Sequence, residues 1–188
     1  MPEKVDFIST YNPVAALSDF IPVIAMQRDL IAMAILVVGG TLLDVLHKKS
    51  AQYFFEAGKT SKANAKQQVG SGEKISIAVQ TAVVDVLTSG EFCNMRRRIA
   101  HLLTMYGFIL FLIATVFLVF GYPTPASLTP VYWPVLWHLG ALMVCVGGYW
   151  FWFVIRVDVA AEGYPWYRLV RADLFILSLL ATTTFALI

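Results

Sequence analysis

The sequence predicts an all-α integral membrane bundle with four transmembrane helices and an amphipathic cytoplasmic interfacial helix. Three observations predict it. From Ile99 to Ile155 the chain runs for 57 residues without Asp, Glu, Lys or Arg, with Arg96, Arg97 and Arg98 at one end and Arg156 at the other. One crossing of a hydrocarbon core about 30 Å thick takes about 20 apolar residues, so this stretch holds two crossings folded back on each other. Hydrophobic residues make up 59% of the chain and charged ones 14%, too apolar a balance for a soluble domain of this length. The apolar runs are also continuous rather than alternating, which argues against a transmembrane barrel.

Residues 1–28 read as an N-terminal periplasmic or interfacial segment, and residues 29–188 as the transmembrane domain with a basic cytoplasmic loop at 47–98. Met1 to Tyr11 carries Glu3, Lys4 and Asp6 and shows no basic-then-apolar run, so no removable signal peptide is expected. Pro13 to Gln27 is apolar but holds Asp19 and Pro22, which suits a segment lying against the membrane surface. The first crossing is expected at Asp29 to Leu46, where Leu30 to Leu43 is free of charge and Asp44, His47, Lys48 and Lys49 mark the exit.

Gly58 to Gly72, rich in Ser, Ala, Asn, Gln and Lys, reads as a flexible connector. Ile75 to Leu87 is apolar but only about 20 Å long as a helix, short of a bilayer. Ser76, Gln80, Thr81, Asp85 and Thr88 give it a polar side, so it is expected to lie on the cytoplasmic surface. The second and third crossings are Ala100 to Phe120 and Trp133 to Ile155. Between them Pro123, Pro125 and Pro130 interrupt helix. The fourth is Asp173 to Ile188, about 24 Å of helix, which is short and ends without a polar flank; a further helix or a partner subunit is expected to cover it.

Nine of the fourteen basic residues lie between Lys48 and Arg98, which makes that face cytoplasmic and the N-terminus periplasmic in a bacterial inner membrane. Arg96, Arg97, Arg98 and Lys74 are the expected docking residues for a soluble partner. Tyr122, Tyr132, Trp133 and Trp137 read as anchors at the outer interface, and Tyr149, Trp150, Trp152, Tyr164, Trp166 and Tyr167 at the inner one. Gly147 and Gly148 permit close helix packing.

Chemistry-bearing residues are few. Asp44 can meet His47 at i+3 or Lys48 at i+4. His47, His101 and His138 are the candidate haem ligands, each equally readable as an ordinary helix residue. A bis-histidine haem needs both ligands at one membrane depth; His47 and His101 share the cytoplasmic end, whereas His138 sits near the other. One haem b at most is therefore expected, and no metal beyond its iron. Arg156, Arg168, Arg171 and Asp173, with Asp158, are the candidate polar groups of a quinone pocket. Cys93 and Cys145 suggest neither a disulfide nor an iron-sulfur site. No catalytic residue is expected in the chain itself. Membrane lipid is an expected partner and nucleic acid is not. Paired intramembrane charges and broken apolar helices of the transporter kind are lacking.

The run AVQTAVVDVLTSGEFCNMRRRIAHLLTMYGF, Ala78 to Phe108, combines an amphipathic stretch, a Cys, basic residues, a His and Gly-Phe in the following helix. It resembles the membrane subunits of the nitrate-reductase-gamma and heterodisulfide-reductase type. It is similar in particular to the C subunit of the quinone-interacting membrane oxidoreductase complex and to the membrane anchor of adenylylsulfate reductase. RADLFILSLLATTT, Arg171 to Thr184, is similar too, and together these cover about half the chain. The resemblance implies a membrane anchor, in sulfur metabolism, for cytoplasmic flavin and iron-sulfur subunits. Electrons would pass to or from a quinone, ubiquinone or menaquinone, often through haem b. Only His101 matches the position usually associated with haem. Thr88 and Ser89 stand where such sequences often carry a second histidine, which favours a reduced anchor that retains docking and quinone contact. Two other readings stay open: a haem-bearing electron carrier using His47 and His101, and a structural or assembly subunit of a membrane energy-conserving complex.

Overall fold

The computed structural model describes residues 10–47, 50–64, 70–90, 92–159 and 162–188, and these are all helix, turn or loop, with no strand among them. Seven helices follow in order: α1 (Pro13–Leu17), α2 (Val23–His47), α3 (Ser50–Asn64), α4 (Ser71–Thr81), α5 (Met95–Gly121), α6 (Tyr132–Trp150) and α7 (Asp173–Ala186). Helix α4 continues as a π-helical turn over Ala82–Leu87, and α6 does so over Phe151–Ile155. Three helices, Val23–His47, Met95–Gly121 and Tyr132–Ile155, are long and apolar enough to cross a membrane. Helix α7 is apolar but has 14 residues, about 21 Å.

Backbone starts and stops follow local chemistry. The Asn12 side chain accepts from the amides of Val14 and Ala15, and Pro13 occupies the first helical position of α1. Asn94 caps α5 in the same way through the Arg96 amide. Helix α5 stops at Gly121, two residues before Pro123.

Helices α5 and α6 run antiparallel, joined by the proline turn, and their backbones touch. A Cβ on Gly140 would lie 2.6 Å from the Phe111 amide nitrogen, and one on Gly107 2.8 Å from that of Val144. Farther along, a Cβ on Gly147 would lie 2.8 Å from the Ala100 carbonyl oxygen. Ala100, Ala114, Ala141 and Val144 fill the rest of this seam and are buried. In lipid no water is released by burying an apolar face, so such close approach and dispersion hold the pair. Helix α7 packs antiparallel on α6: Leu180 fills the space beside Gly148, and the Cys145 thiol donates to the Thr183 hydroxyl at 3.3 Å. The Tyr149 hydroxyl meets that of Thr184 at 2.8 Å. The packing role expected of Gly147 and Gly148 is thus observed, on two different neighbours.

Helix α2 leans on this core only near its start. Met26 and Leu30 pack on a cluster of Val14, Leu118 and Val119, and the Gln27 amide donates to the Val119 carbonyl at 3.2 Å. No residue of α2 is buried. The N-terminal segment is held to the proline turn by the Asn12 amide, which donates to the Tyr122 carbonyl and to the Thr129 hydroxyl at 2.8 and 2.9 Å.

Several expectations change. Helix α2 begins at Val23 rather than Asp29, because Pro22 and the turn before it start a helix that tolerates Arg28 and Asp29 on its exposed side. Gly58 to Asn64 is helical rather than a connector, since Ala, Glu and Lys outweigh one glycine; residues 65–69 lie outside the described residues. Trp133 and Trp137 do not stand free at an interface. The first stacks on Phe117 with 4.0 Å between centroids, and the second lies against Phe111 with its Nε1 donating to Thr115 Oγ1. Trp152 is buried, 4% exposed, and not an anchor.

Candidate functional site

The bundle has two ends: the proline turn with α1, and the end where α5 starts, α6 stops and α7 starts. The second end carries Arg96, Arg97, Arg98 and the loop from Arg156 to Ala172. Arg156 is fully buried there. Its Nη2 donates to Asp173 Oδ2 and to the Arg168 carbonyl, and its Nη1 donates to the Pro165 carbonyl. Its guanidinium lies 4.2 Å from the centre of the Trp152 ring. Asp173 also accepts from the Val170 amide at 2.8 Å. Arg156 Nε lacks a hydrogen-bond partner among the described residues, with Glu162 4.0 Å away. A charge this enclosed persists because it is paired and bonded on several sides. The pair therefore acts as a clasp that pulls the loop back onto the ends of α6 and α7.

Of the other residues expected at a quinone pocket, Arg168 stacks on Tyr164, with 4.6 Å to the ring centre, and Arg171 and Asp158 are exposed. None of these five residues lines either of the two cavities described below.

The three histidines go to separate places. His138 is buried and its Nδ1 faces the Pro134 carbonyl at 2.7 Å, one turn back in its own helix. His101 is exposed, its Nδ1 3.0 Å from Ser89 Oγ and its ring tilted against Phe92. His47 is exposed at the end of α2. His138 stands level with Phe111, about ten residues or 15 Å along α5 from His101. Among the described residues no three His, Cys, Asp or Glu side chains cluster so as to hold a metal. His47 and His101 are both exposed at helix ends, and His138 is enclosed with its Nδ1 on its own helix.

Two cavities among the described residues bear on the site. A groove of about 650 Å³ runs from α1 along α2, α5 and α6, with Met33, Phe111 and Val119 among its apolar walls. Its polar groups are few: Asp29, Thr115, Thr182 and Trp137. The Trp137 indole is already bonded to Thr115, which itself donates to the Phe111 carbonyl, so their positions are fixed. A pocket of about 210 Å³ lies at the arginine end, lined by Phe92, Arg97, Ala100, His101, Thr104 and Phe151.

No protein-family model, curated protein or solved structure matches this chain.

Of the expected docking residues, Lys74 and Arg96 are exposed and Arg97 and Arg98 half-buried, and Arg98 donates from Nε to the Thr88 carbonyl at 2.8 Å. Together with the Tyr106 hydroxyl on the Leu87 carbonyl, that bond fastens the end of the α4 segment to α5. Lys48 and Lys49 lie outside the described residues. Sequence reasoning missed Asn12 and Ser89. Ser89 had one available signal, a position immediately before a glycine, where turns form; it adopts the left-handed conformation, φ 51°, and is 1% exposed.

Proposed function

We propose that the chain is a multi-pass subunit of a bacterial inner membrane, with four crossings and its N-terminus in the periplasm. It anchors a cytoplasmic flavin and iron-sulfur oxidoreductase, of the adenylylsulfate reductase type, and lets that partner exchange electrons with a quinone. The observation that carries this reading is the 650 Å³ groove, apolar along most of its length with a few fixed polar groups, the chemistry that suits an isoprenoid quinone. The Thr182 hydroxyl donates to the Ser178 carbonyl at 2.9 Å and leaves its oxygen as an acceptor, and the Asp29 carboxylate is a second acceptor; both suit the hydroxyls of a quinol. The exposed basic residues Lys59, Lys74 and Arg96 supply charge complementarity for the soluble partner.

A photoactivatable quinone added to membranes tests the groove: peptides holding Met33 and Phe111 should carry the label, and labelling confined to the Arg156 to Ala172 loop would overturn it. Charge reversal of Lys59, Lys74 and Arg96 tests docking. The soluble reductase should leave the membrane fraction, and its full retention would overturn the anchor role.

A second reading is a structural or assembly subunit without a redox role. It is favoured by the use made of the buried polar groups: Asn12, Ser89, Arg156, Asp173 and Thr183 all bond helices, loops or turns to one another.

A further inference from the structure

We infer that the pocket at the start of α5 is a binding site for an anionic phospholipid, with Arg97 and His101 on its phosphate. Arg97 and His101 are four residues apart and so share one face of α5, at the boundary where charge ends and the uncharged stretch from Ile99 begins. That boundary is the level of a phosphate headgroup. Phe92, Ala100 and Phe151 give the pocket apolar walls, and at about 210 Å³ it is below the range of about 300–1,000 Å³ typical of cofactor-sized ligands. It admits a glycerol unit and the first methylenes of an acyl chain, with the headgroup at its mouth.

The cations are placed for this use. Arg98 is held by Thr88, but Arg97 has no bonding partner among the described residues. His101 Nδ1 lies 3.0 Å from the Ser89 hydroxyl, which fixes the ring; with the hydroxyl as donor the imidazole proton sits on Nε2, where it can be given to an anionic oxygen. Ser89 achieves this in a left-handed backbone conformation that non-glycine residues seldom adopt. The first turn of α5 adds the positive end of a 27-residue helix dipole. Basic pockets between helices near the membrane surface select anionic lipids, at about 1 kcal/mol for each Lys or Arg, equal to about a fivefold preference.

Native mass spectrometry of the full chain, delipidated in detergent and offered phosphatidylglycerol and phosphatidylcholine in equal amounts, tests the site. The wild type should retain phosphatidylglycerol several-fold over phosphatidylcholine. R97Q should lower that ratio about fivefold and R97Q/H101Q should abolish it, while R97K and the exposed control R96Q keep most of it. An unchanged ratio in R97Q/H101Q, with helix content equal to wild type by circular dichroism, would overturn the site. So would equal retention of both lipids by the wild type. Inorganic phosphate at millimolar concentration displacing the lipid completely would overturn it in favour of a free-anion site. If R97Q/H101Q does not fold, R97Q against R97K decides alone.

Discussion

The Arg156 guanidinium and the Asp173 carboxylate, 17 positions apart, meet in a buried pair that joins the end of α6 to the start of α7. Breaking such a pair from one side leaves a charge in a poorly solvated place. D173N or R156Q should therefore destabilise the chain by about 3–5 kcal/mol. An R156M/D173L double variant should lose less than either single change. Thermal unfolding in detergent measures all three, and additive losses would contradict a coupled pair.

Gly140 has no room for a side chain. G140A forces a methyl group into the Phe111 backbone and should cost about 1–3 kcal/mol by overpacking. G39A and G40A, where nothing lies within 4 Å, should stay within about 1 kcal/mol of wild type in the same melts.

The two cysteines should differ in reactivity. Cys93 is exposed and Cys145 is buried against Thr183, so a maleimide should label the first within minutes and the second only after denaturation. Applied to intact cells with an impermeant reagent, the same label reports sidedness. Protection of Cys93 is expected, and labelling from outside would invert the proposed topology.

N12A removes a helix cap together with two bonds to the proline turn. A loss of about 1–2 kcal/mol is expected from the cap alone. Hydrogen exchange should rise in residues 121–132 as well as in 13–17, and a rise confined to α1 would show that the link to the turn carries nothing.

Much of the helical layout is legible in the sequence because membrane length and charge act locally. The stretch from Ile99 to Ile155 gives α5, the turn and α6, although α5 starts five residues before Ala100, at Met95, where Asn94 caps it ahead of the arginines. Paired glycines at 147 and 148 likewise announce close packing, although only the structure shows that each serves a different neighbour. Rotation about a helix axis is harder to read, because a tryptophan near the end of a span looks alike whether it faces lipid or a neighbouring helix. Trp152 is the case in point, enclosed at 4% exposure where its position near the end of the span suggests an anchor. The Arg156 and Asp173 pair follows no period, since the loop between them sets their approach. The contact of His101 with Ser89 is not legible in the same way, because a glycine announces a turn at Ser89 but not which side chain that turn will meet.

Asn12 reaches partners translated 110 residues after it. At ribosomal speeds of about 5–20 residues per second, the fastening it makes must wait roughly 5–20 s for the turn to emerge. During that interval α2 stands almost without partners from its own chain, and an apolar helix with no enclosed side chain is suited to being placed first and joined afterwards.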